Sequence, residues 1–270
     1  MQRHVSDEWV RAAQERGYRS RAAWKLCQID DRHKVLGRGA RAVLDLGAAP
    51  GSWTQVLVER MSSPRLIVGV DLLAVEPFST PLLRRVTGSH STASDAVELI
   101  EGDFTTAPTR RLIETRLREW RRGSRAGFDA IVSDMVPSIT GDHVADHFSS
   151  VNLCRSIVEF LRLETRQIGA QPAPPRGEPR GEPCGEHSGS TRTSTVSSVR
   201  AGGRAPADGD GTDVPMLARG GSLSMKVLQG GDLDELLTDL REQFGEVHIC
   251  KPKASRPASR EVYVVAKKAR

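Results

Sequence analysis

The stretch that most constrains this chain is Val43-Leu44-Asp45-Leu46-Gly47-Ala48-Ala49-Pro50-Gly51-Ser52-Trp53. Val43, Leu44 and Leu46 give the short apolar run of a parallel-sheet strand. Gly47 and Gly51 then interrupt it and leave no side chain between the backbone and a ligand. A helix expected over about 52–60 would turn its N-terminal amides towards that ligand. The pattern is not the G-x-G-x-x-G of nicotinamide enzymes. Its second half comes later, where the apolar run Leu66 to Val70 ends in Asp71. An acid at the end of the second strand, roughly 20 residues after the loop, is placed to hold ribose hydroxyls. The pair predicts a nucleoside-type cofactor.

The rest of the chain continues the alternation. Strands are expected over 42–46, 66–71, 97–100, 128–133 and 222–228, with helices over 52–60, 108–122, 146–166 and 232–244. Two last strands, 247–250 and 262–266, are joined by a loop rather than a helix, so that pair is expected to be antiparallel. Strands alternating with helices give a parallel α/β sheet. Ahead of the sheet, 6–35 reads as helical, with Ser6 as a cap and Trp9, Val10 and Ala13 on one face. Gly17 interrupts, and a second helix from about Ser20 carries Ala23, Leu26, Cys27 and Ile29. Residues 76–96, rich in Pro, Ser and Thr, read as a loop. From 167 to 220 the pattern collapses into runs such as Gln171-Pro-Ala-Pro-Pro followed by Ser/Thr/Gly-rich sequence. Such a segment cannot bury enough apolar surface to offset its ordering cost, and it is expected to be a disordered insertion. The expected organisation is thus a set of basic, RNA-facing helices over 1–40, a catalytic domain over 41–166 and 221–270, and the insertion between its halves.

Composition narrows the partners. The net charge of +5 fits a polyanion, while 4% aromatic residues argue against extensive base stacking. Basic residues crowd the first helices: Arg11, Arg16, Arg19, Arg21 and Lys25. The four cysteines, Cys27, Cys154, Cys184 and Cys250, are scattered without a C-x-x-C, which fits a reducing compartment rather than a disulfide framework or zinc site. No apolar run is long enough to span a membrane, and no secretory segment opens the chain. Asp7, Glu8 and Glu15 argue against a long mitochondrial presequence.

Six blocks stand in a familiar order: Arg19-Ser20-Arg21-Ala22-Ala23-Trp24-Lys25-Leu26, Asp45 to Trp53, Val70-Asp71-Leu72-Leu73, Ser133-Asp134-Met135, Met225-Lys226-Val227, and Lys251-Pro252-Lys253-Ala254-Ser255-Arg256 through Ser259-Arg260-Glu261-Val262-Tyr263. In these the chain resembles the FtsJ/RrmJ family of S-adenosylmethionine-dependent RNA 2′-O-ribose methyltransferases. The resemblance covers nearly everything except 76–96 and 167–220. The run Lys251 to Tyr263 and the Asp71-Leu72-Leu73 segment are most similar to the large-subunit ribosomal RNA branch. It implies a Rossmann-like class I methyltransferase fold, a mostly parallel seven-stranded sheet with one antiparallel strand near the C-terminus and helices on both faces. It also implies methyl transfer from S-adenosyl-L-methionine to a ribose 2′-hydroxyl, a uridine's, in ribosomal RNA or the large ribosomal subunit, by a monomer. The branch favours a mitochondrial location, with cytoplasm and nucleolus as alternatives.

Matched block by block, the family's catalytic tetrad falls on Lys25, Asp134, Lys226 and Glu261. A ribose 2′-hydroxyl is a poor nucleophile until its proton is taken or its lone pair is aimed at the methyl group. Lys226 is the expected proton acceptor. An ammonium cannot accept a proton, so that role requires Lys226 to lose its charge, which desolvation or the positive Lys25 would favour and Asp134 and Glu261 would oppose. The alternative is that Lys226 orients the hydroxyl, with the proton lost to water after transfer. Singly, each of the four has a plainer reading: strand-edge lysine, strand-end cap, surface pair for Arg260, solvated helix charge. A lysine flanked by Ser224, Met225, Val227 and Leu228 in a central strand is nevertheless unusual. The resemblance carries the cofactor contacts to Gly51, Trp53, Asp71, Asp103 and Asp134, with Asp71 on the ribose hydroxyls, Asp103 on the adenine amino group and Asp134 near the methionine amine. One departure is Val136 and Ser138, where the family usually has Ala and Asn. His143 and His147 stand i, i+4 without the H-E-x-x-H glutamate or a third ligand, so no metal is expected and both read as loop histidines near a substrate pocket. Alternatives are a tRNA or mRNA-cap enzyme of the same family, or a ribosome-assembly factor that binds RNA with catalysis secondary.

Overall fold

The computed structural model describes residues 7–37, 39–62, 65–76, 78, 96–122, 126–162 and 215–270. Two helices come first, α1 (Glu8–Arg16) and α2 (Ala22–His33). The sheet then forms from β1 (Ala42–Leu46), β2 (Leu66–Asp71), β3 (Ala96–Glu101), β4 (Phe128–Ser133), β5 (Leu217–Leu228), β6 (Phe244–Cys250) and β7 (Glu261–Ala269). Its helices are α3 (Ser52–Arg60), α4 (Ala107–Trp120), α5 (His143–Arg162) and α6 (Leu233–Gln243). The strand order is β3-β2-β1-β4-β5-β7-β6, parallel from β3 to β5. β7 runs antiparallel to both of its neighbours, β5 and β6, as the short loop before it predicts.

The period of two along each strand divides the core into two layers. Leu44, Val68, Ile131, Met225 and Val264 face α4, α5 and α6. Val43, Ile67, Val132, Tyr263 and Val265 face α1, α2 and α3, where Leu26, Ile29, Val56 and Leu57 complete the second layer. Because Met225 and Val227 belong to the first layer, Lys226 between them points towards the second, on the side of α2. Strand alternation thereby aims a lysine from the sheet centre at the N-terminal helices.

Several boundaries differ from expectation, each for a physical reason. Asp7, not Ser6, caps α1, its carboxylate accepting from Trp9 N at 3.1 Å; Ser6 lies outside the described residues. Val10 is exposed rather than sharing the buried face of Ala13. Gly17 ends α1 with φ of 79°, the left-handed cap that glycine adopts without strain. β5 begins at Leu217, five residues before the expected start, so the end of the span expected to be disordered belongs to the sheet. Met216 and Leu217 are buried there, and the strand shifts register against β4 between Phe128 and Ala130. The Gly220-Gly221 pair hides this pairing from a periodicity reading. β7 runs on to Ala269 because Lys267 and Lys268 pair across the strands with Glu246, at 3.4 and 2.5 Å. Residues 163–214, which hold most of the expected insertion and Cys184, and nearly all of the 76–96 loop lie outside the described residues.

Candidate active site

The strand order reverses between β1 and β4, where a doubly wound sheet opens a crevice at the carboxyl ends of its strands. The expected site residues lie along that edge. Asp103 follows β3, Asp71 ends β2, the Gly47–Gly51 loop follows β1, Asp134 follows β4, Lys226 lies near the end of β5, and Glu261 begins β7.

On the side of β5 and β7 four residues from four elements meet in two ion pairs. Lys25 Nζ lies 2.7 Å from Glu261 Oε1. Lys226 Nζ lies 3.0 Å from Asp134 Oδ1 and donates to the Asp134 carbonyl at 2.5 Å. Tyr263 bridges them: its hydroxyl donates to Asp134 Oδ1 at 2.5 Å, and its ring centre lies 5.8 Å from Lys25 Nζ. Burial alone would raise the Glu261 pKa, but the hydrogen bond and charge of Lys25 and the charge of Lys226 bring it below its usual value. Burial, then the negative charges of Asp134 and Glu261, push the Tyr263 phenol well above its usual range, so it stays a donor. Tyr263 is not among the four residues that the resemblance implies for catalysis. The signal was there, a single tyrosine inside the apolar run Val262 to Ala266.

On the side of β2 and β3 the carboxylates are held mainly by nearby backbone. Asp71 accepts from Ala49 N and Leu73 N, both at 2.9 Å, and so ties the glycine loop to the end of β2. Asp103 accepts from Thr105 N at 2.9 Å and Thr105 Oγ1 at 2.7 Å. Both Asp71 oxygens keep a lone pair for a further donor, and on Asp103 the open acceptor is Oδ2, since Oδ1 already accepts twice. Leu72 and Leu73, beside Asp71, are exposed and offer an apolar surface at the same mouth.

Three expectations change here. The space over the glycines is filled by protein: a Cβ at Gly47 would stand 2.2 Å from Met135 Cγ, and one at Gly51 would stand 2.7 Å from the Phe78 ring and 2.9 Å from Arg19 Nη1. Both glycines therefore let Met135, Phe78 and Arg19 pack closely on the loop. The Trp53 side chain is buried between α2 and Tyr263, its indole donating to Ala22 O at 2.8 Å. Its backbone lies in the first turn of α3, where the helix amides have no partner within the helix. His143 and His147 lie on α5, not on a loop. His147 is buried, with Nδ1 2.8 Å from Leu228 O and Nε2 accepting from Asp232 N at 3.0 Å. That pattern makes the ring a clamp between α5 and the β5–α6 turn. No group of three or more metal-ligating side chains occurs among the described residues.

The basic N-terminal helices also differ from a free cationic face. Arg11 pairs with Glu15 at 2.9 Å, Arg21 binds the Asp7 carboxylate and Ala254 O, and Lys25 holds Glu261. Arg19 reaches the cofactor loop, donating to Pro50 O at 2.5 Å and Glu76 O at 2.7 Å, with Phe78 4.0 Å from its guanidinium. Arg19, one of the basic residues of the expected RNA-facing helices, is thus packed on that loop. Beneath the loop, Asp45 is wholly buried; Oδ2 accepts from Thr54 Oγ1 at 2.8 Å and Oδ1 has no partner among the described residues. Burial pushes its carboxyl up to about 7, and the charges of Asp134 and Asp71 add to the rise.

A doubly wound sheet with a crevice at its reversal point, lined by carboxylates on one side and paired lysines on the other, defines a Rossmann-like enzyme fold. Residues 18–177 and 210–269 match the model of the FtsJ-like methyltransferase family. The ribosomal RNA large subunit methyltransferase E of Gluconobacter oxydans is 33% identical over 266 residues, covering 98% of this chain and 70% of that protein. The enzyme of the same name from Thiobacillus denitrificans is 30% identical, covering 99% and 88%. A crystal structure described as a ribosomal RNA methyltransferase from Plasmodium falciparum superposes with a TM-score of 0.58 at 23% identity, over 93% of this chain and 98% of that one, and shares the fold. The chain belongs to the FtsJ-like methyltransferase family. The named curated relatives are bacterial, which gives no support to the mitochondrial location expected from the family branch. No helix among the described residues is long and apolar enough to cross a membrane.

Proposed function

We propose that this protein transfers a methyl group from S-adenosyl-L-methionine to a ribose 2′-hydroxyl of large-subunit ribosomal RNA. The observation that carries the reading is the convergence of Lys25, Asp134, Lys226 and Glu261 in two ion pairs at the end of the crevice. The names of the curated relatives support ribosomal RNA as the substrate over tRNA or an mRNA cap.

The crevice residues fit the cofactor by their chemistry. Asp71 and Asp103 are acceptors suited to ribose hydroxyls and an adenine amino group, Leu72 offers a flat apolar surface beside them, and the first turn of α3 presents amide donors. Bound S-adenosyl-L-methionine supplies an electrophilic methyl group. The chain's own part is to hold the hydroxyl in line and in the right hydrogen-bonding state. Lys226, fixed by two contacts to Asp134, presents its remaining N–H to the 2′-oxygen. Two contacts to Asp134 fix the direction of the Lys226 side chain, which supports the orienting role, with the hydroxyl proton passing to water after transfer. Tyr263 holds Asp134 from behind, and Lys25 with Glu261 fixes the opposite wall.

Incubation with methyl-labelled S-adenosyl-L-methionine and large ribosomal subunits, free ribosomal RNA or tRNA, followed by mapping of 2′-O-methylated positions, tests the reading. Label at one ribose of large-subunit RNA is the expected result. Label on a base, or on tRNA alone, would replace it. A single-turnover rate that rises with pH through one ionisation, and loses that rise in Lys226→Met, would return Lys226 to proton acceptor.

A further inference from the structure

Next to the Lys25–Glu261 pair lies a cavity of about 440 Å³, lined by Arg21, Lys25, Arg256, Ala258, Ser259 and Glu261. Three cations and one carboxylate share it, and that carboxylate is already paired with Lys25. Arg21 is fixed in place by Asp7 and the Ala254 carbonyl. Arg256, on the loop between β6 and β7, is exposed, and its guanidinium makes no hydrogen bond or ion pair to a described residue. Burial, and then the positive charge of Arg256, push the Arg21 guanidinium below its ordinary value, so the two feel each other across the cavity. Like charges gathered in one cavity cost free energy that an anion between them would offset. Guanidinium forks are suited to phosphate oxygens in particular.

The position of the cavity selects which phosphate. On a ribose, the 2′-oxygen and the 3′-phosphate hang from adjacent carbons, whereas the 5′-phosphate hangs beyond C4′ on the far side of the ring. A ribose that presents its 2′-hydroxyl to Lys226 and Asp134 carries its 3′-phosphate close to the reacting oxygen. The cavity shares Lys25 and Glu261 with the reaction site, so it lies within that short reach. We propose that this cavity is the subsite for the phosphodiester on the 3′ side of the methylated ribose, with Arg21 as its fixed arm and Arg256 as its mobile arm. The inference rests on the 2′-O-methyltransferase reading and adds a positioning function: an anchored 3′-phosphate sets the ribose pucker and the line of the 2′-oxygen.

The test uses the full chain and an RNA oligonucleotide spanning the mapped ribose, with a neutral methylphosphonate at either the 3′ or the 5′ linkage. For the wild type, the 3′ replacement is expected to lower kcat/KM about tenfold or more, the size of a lost charged hydrogen bond, and the 5′ replacement to lower it far less. Arg256→Gln is expected to raise KM for unmodified RNA about tenfold and to respond weakly to the 3′ replacement, with Arg256→Lys recovering part of the loss. Cofactor affinity and Tm should not move, because Arg256 is exposed and holds no element in place. A penalty on the 5′ linkage instead, or full 3′ sensitivity in Arg256→Gln, overturns the assignment. Salt titration of ribosomal RNA binding without cofactor gives a readout independent of transfer, with a slope expected to fall by about one in Arg256→Gln. If no 2′-O transfer is seen, the functional reading fails on that result; identical salt slopes for variant and wild type overturn the cavity separately.

Discussion

The two sides of the crevice are built differently. On the side proposed for the cofactor, Asp71 and Asp103 accept from backbone amides within two residues of themselves, and Asp71 from one further amide 22 residues away. On the side proposed for the reaction, contacts join side chains far apart in the chain: the Tyr263–Asp134 hydrogen bond spans 129 residues. The first kind of site is set by local chain geometry, and the second exists only once the sheet has assembled. Substitutions on the cofactor side should therefore act on binding and loop order, and those on the reaction side on the rate.

The largest effect should come from the reaction side. Lys226→Met is expected to lower single-turnover methyl transfer at least about a hundredfold, the usual size of a positioned proton-handling or orienting group. Cofactor affinity, read by calorimetry, should stay within about twofold. A near-wild-type rate in this variant would remove Lys226 from the site. Tyr263→Phe sharpens the same point. It keeps the packing against Trp53 but removes the donor to Asp134, so the rate should fall with little change in Tm. A fall in Tm at unchanged rate would make Tyr263 a core residue only.

Asp71→Ala should act on the other side, weakening cofactor binding about tenfold or more by removing an acceptor for the ribose hydroxyls. It also frees Ala49 N and Leu73 N, so the loop should loosen. Unchanged affinity would move the ribose elsewhere. Arg19→Ala comes next, at roughly threefold to tenfold, because two of its donors hold Pro50 O and Glu76 O rather than RNA. Loss of RNA affinity with cofactor affinity intact would return Arg19 to the phosphate path and break the division between the two sides.

The same division explains what could be read from the sequence. The strand, the glycine loop, α3 and Asp71 are legible because their geometry is local: an apolar run, a turn, a helix start and an acid at a set distance. The parallel sheet follows from the alternation of strands and helices, whereas its seven-stranded form came through the resemblance. The reaction side was reached through resemblance, since Lys25 on a helix and Glu261 beside Arg260 each look like surface charges. Period-two alternation does place Lys226 opposite Met225 and Val227, but nothing local says that α2 lies there. Arg19 was misread because a basic run looks the same whether it faces solvent or clamps a loop. The start of β5 was missed because Gly220 and Gly221 mask its pairing.

The smallest effect on activity, and a different readout, belongs to Asp45. Its folded pKa of about 7 stands above the ordinary 3.8, with burial as the largest cause. Between those values the folded protein keeps a proton that the unfolded chain has released. Stability therefore falls as pH rises through that window, and the full cost is present above about pH 7. From pH 5 to 8 this amounts to on the order of 2–3 kcal/mol, or roughly 5–10 °C in Tm for a domain of this size. Asp45→Asn keeps an acceptor for Thr54 Oγ1 but cannot ionise. The variant should lack this part of the decline, whatever its absolute Tm, and calorimetric scans at pH 5, 6, 7 and 8 measure it. Parallel curves for the two proteins would mean that Asp45 stays ionised throughout, with a partner for Oδ1 supplied by solvent. A flatter curve for Asp45→Asn would identify a neutral carboxyl beneath the cofactor loop, a third way of holding an acid beside the backbone-held acids of one side and the ion-paired acids of the other.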